Sequence, residues 1–189
     1  MTDFEDDIEK SLAVLRAGGT LLYPTDTVWG LGCDATDEAA VGKIYALKNR
    51  PASKQCILLL AGERELLKYI TQPDFAVFDY LRSVPRPTTV IYDGAINLAP
   101  SVIAADGSAA FRIVRDPFCK TLIKRLRKPL VSTSANLSGE PAPRFFDEIP
   151  DRIKTGVDYA VGHRRNDHTP GEPSAIIRWH ADGSRTVIR

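Results

Sequence analysis

The chain has 189 residues, a formal net charge of +1, 43% hydrophobic and 26% charged residues, a balance that excludes disorder and fibrous repeats and fits one domain with a substantial core. Its longest purely apolar run, Cys56 to Ala61, is far short of the roughly 20 residues needed to span a membrane. The first residues are acidic where a signal peptide is basic and then apolar, so a cytoplasmic protein is expected.

Ile8, Leu12 and Leu15 recur at helical spacing ahead of Gly18-Gly19, which predicts an amphipathic first helix. Thr20 to Tyr23 reads as a strand running into Pro24-Thr25-Asp26-Thr27. Thr36 or Asp37 can cap a second helix with the apolar face Val41, Ile44 and Tyr45, and Pro51 disfavours helical geometry at Arg50, so this helix should end near Lys48 or Asn49. Cys56 to Leu60 is an apolar run of strand length, as expected of a strand covered on both faces. Glu63 to Ile70 and Phe75 to Leu81 read as helices, and Thr88 to Tyr92 as a strand. In Ala109 to Val114 the alternation puts Phe111 and Ile113 on one face and Arg112 on the other, towards a cleft. Asp116 followed by Pro117 caps a helix whose stripe is Phe118, Leu122, Ile123 and Leu126. Pro129 to Val131 leads a strand into Ser132 to Asn136. A weak helical stretch reaches Lys154, Tyr159 to Val161 is a short strand, and His163 to Pro173 is a polar loop long enough to be a candidate lid. Ser174 to Trp179 and Arg185 to Ile188 form a hairpin about Asp182-Gly183. The fold class expected is α/β (α+β): one domain over residues 1–189, with a twisted, mostly mixed or antiparallel sheet flanked by helices.

Phosphate-loop, dinucleotide-binding, nucleophile-elbow and zinc-protease signatures are missing. The three cysteines, Cys33, Cys56 and Cys119, lack C-x-x-C spacing and read as buried thiols, and His163, His168 and His180 lack ligand spacing, so no protein-built metal site is expected. Pro51 pushes Arg50 out of the helix, which lets Lys48 and Arg50, with Lys54, converge on an anionic ligand; the alternative is cations that complement a helix C-terminus. Thr25, Asp26 and Thr27 follow a strand end, where open sheets place ligand loops, or else form a self-bonded turn. Ser132-Thr133-Ser134-Ala135-Asn136 ends another strand with four small polar side chains, reading either as a polar ligand site or as a capping loop. Arg112 to Lys128 holds seven basic residues against one acid, read as a solvated helix face.

Taken together, Tyr23-Pro24-Thr25-Asp26-Thr27-Val28-Trp29-Gly30-Leu31-Gly32, Lys48-x-Arg50-Pro51 and Ser132-Thr133-Ser134-Ala135-Asn136-Leu137-Ser138-Gly139 resemble the YrdC-like family of threonylcarbamoyl-AMP synthases. The resemblance runs from the first helix to Pro173-Ser174. It implies a reaction in which L-threonine and bicarbonate give a carbamate whose oxygen attacks the α-phosphorus of ATP and releases pyrophosphate, for threonylcarbamoyladenosine modification of tRNA. With no covalent nucleophile, positioning and charge neutralisation would carry the rate. Matched by motif, Lys48 and Arg50 would be catalytic and clamp the triphosphate with Lys54. Ser132 and Asn136 would contact the nucleotide, and a distal arginine, Arg185 or Arg189, would cover it. Thr27, Arg112, Ser134 and Ser174 would hold the threonine, and Ser108 aligns with a further ligand-contacting position. Magnesium would arrive on the triphosphate. Relatives commonly carry Ser or Thr where this chain has Ala142. Partners implied are tRNA, or double-stranded RNA, and the downstream tRNA-threonylcarbamoyl transferase proteins. Two other readings are an RNA-binding module using Lys124, Arg125, Arg127 and Lys128, and a paralogue that adenylates another carbamoyl donor.

Overall fold

Helix α1 (Glu5–Arg16) buries Ile8, Leu12 and Leu15, and the chain leaves it through Gly18 at φ 71°, a left-handed conformation suited to glycine. The structure, a computed structural model, describes residues 4–51 and 54–189. Strand β1 (Leu21–Tyr23) turns back into β2 (Gly30–Gly32), and helix α2 (Glu38–Lys48) follows with Asp37 as its cap, accepting the Ala40 N–H at 3.1 Å. Its last turn closes at Asn49, φ 51°, one residue before Arg50. The remaining elements are β3 (Ile57–Leu60), α3 (Glu63–Leu66), α4 (Ala76–Ser83), β4 (Thr88–Tyr92), β5 (Ala109–Ile113), α5 (Pro117–Leu126), β6 (Leu130–Ser134), α6 (Asp151–Gly156), β7 (Tyr159–Ala160), β8 (Ala175–Trp179) and β9 (Arg185–Val187).

Among the described residues nine strands form one sheet in the order β7-β1-β2-β6-β3-β5-β4-β8-β9. The pairs β1–β7, β3–β5 and β4–β8 are parallel and the others antiparallel, so the sheet is mixed, as the sequence predicts. Alternation along β3 divides the core. Leu58 and Leu60 join Val41, Ile44, Val77, Phe78 and Phe111 on one face, while Leu59 joins Ile8, Leu12, Phe118 and Leu122 beneath α1 and α5 on the other. Arg112 is the register partner of Leu59 and so lies on the α1–α5 face, beyond the part those helices cover. The helix predicted over Glu63 to Ile70 stops at Leu66, because Ile70 is drawn into a bridge with Ala95. Among the described residues no helix is long and apolar enough to cross a membrane.

Candidate ligand-binding cleft

On the uncovered part of the α1–α5 face, a cleft of about 280 Å³ is walled by Thr27, Arg50, Arg112, Ser132, Ser134, Ser174 and Arg189. The β1–β2 connection supplies Thr27. The Thr25 hydroxyl has one proton, and the Val28 carbonyl lies 2.7 Å from it; the Thr25 oxygen therefore accepts from the Thr27 N–H at 3.0 Å and from the Thr27 hydroxyl at 2.9 Å. The Thr27 proton is committed inward, and its lone pairs are left for a donor in the cleft.

Strand alternation delivers Arg112, which is only 3% exposed. Its Nη2 lies 3.0 Å from Asp26 Oδ1, yet the pair is not a directed hydrogen bond, and Nε and Nη2 have no hydrogen-bond partner although both are sealed from solvent. A buried guanidinium with uncommitted donors is costly and is prepared for an anion. Asp26 is steadied from behind by the Arg115 N–H at 3.1 Å.

Arg50, just past α2, donates Nε to the Lys54 carbonyl (2.9 Å) and Nη2 to the Gln55 carbonyl (2.7 Å). These acceptors are neutral, so they orient the cation without cancelling its charge. On the far wall the Ser174 and Thr89 hydroxyls lie 2.8 Å apart, and Arg189 donates Nε and Nη2 to the Ser174 carbonyl at 3.2 and 3.1 Å. Ala142 also lines the cleft.

Five expected residues are not in this wall. Lys48 is 1% exposed, and its ammonium donates to the Ser134 and Asn136 carbonyls at 2.5 Å each, with Asn136 Oδ1 at 3.4 Å; it ties α2 to the end of β6 from beneath. Asn136 donates its amide to the Leu137 and Glu140 carbonyls at 3.1 and 2.5 Å, holding the following loop. The Lys54 side chain is exposed, and this residue contributes its carbonyl. Arg185 stacks 4.7 Å above the Tyr80 ring outside the cleft; β9 brings Arg189 to the wall instead, because the chain end pairs with Ile176. Ser108 donates to Asp106 at 2.6 Å and lies outside the wall as well. Sequence marked Asp26 only as part of the Thr25-Asp26-Thr27 loop and not as the counterion of Arg112, and Gln55 was not singled out because no local pattern marks it.

A second hollow of about 500 Å³ on the opposite face holds Arg82, Arg86 and Arg115. Its cations are engaged: Arg115 by the Val84 and Pro85 carbonyls at 2.8 and 2.7 Å, Arg82 by Glu63 and Asp79 at 2.7 and 2.5 Å. Within the basic run Arg125 pairs with Glu5 and Glu9, and Lys128 with Asp34. Among the described residues no group of three or more His, Cys, Asp and Glu side chains could hold a metal ion. Cys56 sits in the cleft wall, and burial raises its thiol, as it does those of Cys33 and Cys119.

A mixed sheet whose open face gathers arginines and hydroxyls at strand ends defines an α/β domain built to hold small anionic molecules. The family model described as telomere recombination, Sua5/YciO/YrdC, matches residues 13–189, and the chain belongs to that family. It is 39% identical over 154 residues, 80% of this chain and 83% of the other, to a protein of Stenotrophomonas maltophilia named threonylcarbamoyl-AMP synthase. A protein of Hahella chejuensis with the same name is 38% identical over 174 residues, covering 90% and 89% of the two chains. The crystal structure of P. abyssi Sua5 complexed with L-threonine superposes with a TM-score of 0.83 at 25% identity, covering 98% of this chain and 54% of that one, so this chain spans about half of its length.

Proposed function

We propose that this chain is an L-threonylcarbamoyladenylate synthase, which makes threonylcarbamoyl-AMP and pyrophosphate from L-threonine, bicarbonate and ATP. The observation that carries the reading is Arg112: a buried guanidinium with uncommitted donors, facing a cleft whose other walls hold two further arginines. Where the Arg112 side chain borders the cleft it meets a carboxylate, and the Thr27 lone pairs accept from the amino group beside it. Bicarbonate adds to that amine to give the carbamate, with loss of water. Arg50 and Arg189 face the triphosphate, Ser132 offers its hydroxyl to the nucleotide, and Ser134 and Ser174 border the threonine. The carbamate oxygen then bonds to the α-phosphorus as the bond to pyrophosphate breaks, and the fixed cations stabilise the charge leaving on pyrophosphate. Lys48 acts by holding Ser134 and Asn136 in place. Any magnesium would be carried by the triphosphate rather than held by this chain's own carboxylates, and the product, in the cytoplasm, passes to proteins that modify tRNA.

Pyrophosphate release from ATP, measured with and without L-threonine and bicarbonate, tests the assignment. Release should require both; release indifferent to threonine removes the amino-acid substrate and leaves only nucleotide chemistry.

A further inference from the structure

On that reading one small cleft lined by three arginines receives both a polyphosphate and a carboxylate, and each must find its own end. Charge alone does not sort them, because a phosphate is attracted to any open guanidinium at least as strongly as a carboxylate is. We propose that Asp26 does the sorting: as the counterion of Arg112 it bars phosphate from that end of the cleft and leaves it to a zwitterionic amino acid.

The three arginines differ in what steadies them. Arg50 is held by the Lys54 and Gln55 carbonyls and Arg189 by the Ser174 carbonyl, all neutral acceptors. Arg112 alone among these three has a carboxylate beside it, at 3.0 Å, and the two side chains are 3% and 10% exposed. Away from water such a pair interacts strongly, so the Arg112 end carries little net charge. A dianionic phosphate placed there gains little from Arg112 and is repelled by Asp26. A zwitterion is not penalised: its carboxylate meets Arg112, and its ammonium is favoured by Asp26 and by the Thr27 lone pairs. Asp26 does not line the cleft; it borders the hollow behind it, with Arg164 and Gly171, and is fixed by the Arg115 N–H. It is therefore a specificity-determining residue that acts through Arg112.

The test is calorimetric titration of the intact protein with inorganic pyrophosphate and with L-threonine at low ionic strength. Wild type should bind one pyrophosphate per chain. Asp26→Asn, which keeps the size of the side chain and an acceptor for Arg115, should bind a second pyrophosphate that competes with L-threonine, and should bind L-threonine about tenfold more weakly. Asp26→Asn with a single pyrophosphate site and wild-type threonine affinity overturns the proposal. Gln55→Glu makes the converse change, adding a carboxylate to the residue whose backbone carbonyl holds Arg50 in the cleft wall: pyrophosphate affinity should fall about tenfold with threonine binding unchanged. If circular dichroism shows Asp26→Asn unfolded, Gln55→Glu decides, and unchanged pyrophosphate affinity overturns the sorting. Wild type that fails to bind L-threonine overturns the proposed function instead, and the pyrophosphate count still decides the role of Asp26.

Discussion

The Lys48 ammonium lies beneath the end of β6, within 2.5 Å of two carbonyl oxygens contributed by Ser134 and Asn136. Burial, with Arg50 alongside, lowers its pKa from 10.5 to about 8. Because the folded value is below the unfolded one, the unfolded chain binds more protons between about pH 8 and 10.5, and this residue's contribution to stability rises with pH across that window. Lys48→Met should cost about 1–3 kcal/mol, since it leaves buried carbonyls without a donor. Urea unfolding checks the size, and the wild-type minus Lys48→Met difference, followed with pH, checks the sign: a flat difference refutes the lowered pKa. Arg112 was legible from sequence because two-residue alternation is local. The partners of Lys48 were not, since they lie at and just past the end of a strand far along the chain.

At the level of elements, β2 is the one that residue propensities hide. Gly30-Leu31-Gly32 has a single side chain suited to a strand, yet it pairs with both β1 and β6. Glycine is required at its second end: a Cβ on Gly32 would lie 2.3 Å from the Val131 carbonyl and 2.6 Å from the Tyr23 ring, whose hydroxyl bonds that same carbonyl at 2.9 Å. Gly32→Ala should therefore destabilise the fold by about 1–3 kcal/mol, read from chemical denaturation. The strap from His163 to Pro173 packs at Gly171 against the backbone of Thr27, where a Cβ would fall 1.5 Å from the Thr27 carbonyl. Gly171→Ala should displace Thr27 and raise the KM for L-threonine more than it lowers kcat; a variant with wild-type KM would show that the strap yields instead. Helices α1, α2 and α5 were plain in the sequence, because caps and apolar stripes are short-range features.

The whole molecule assembles the cleft from the β1–β2 connection, the end of α2, β5, β6, β8 and the chain end. Ligands that touch all of these stabilise the folded state by mass action, about 2.7 kcal/mol at one hundred times the dissociation constant. L-threonine together with ATP should thus raise the melting temperature by several degrees in thermal scans, and no shift with either ligand would argue against a composite site. By itself the sequence determined the mixed α/β class, most helices and strands, and the residue types that meet the ligand, because periodicity, caps and motif spacing act within a few residues. Only the tertiary structure decided which of those residues reach the cleft. The order β6-β3-β5-β4-β8 joins segments distant along the chain, and it brought Arg189 rather than Arg185 to the wall, turned Lys48 beneath it, and set Asp26 behind Arg112.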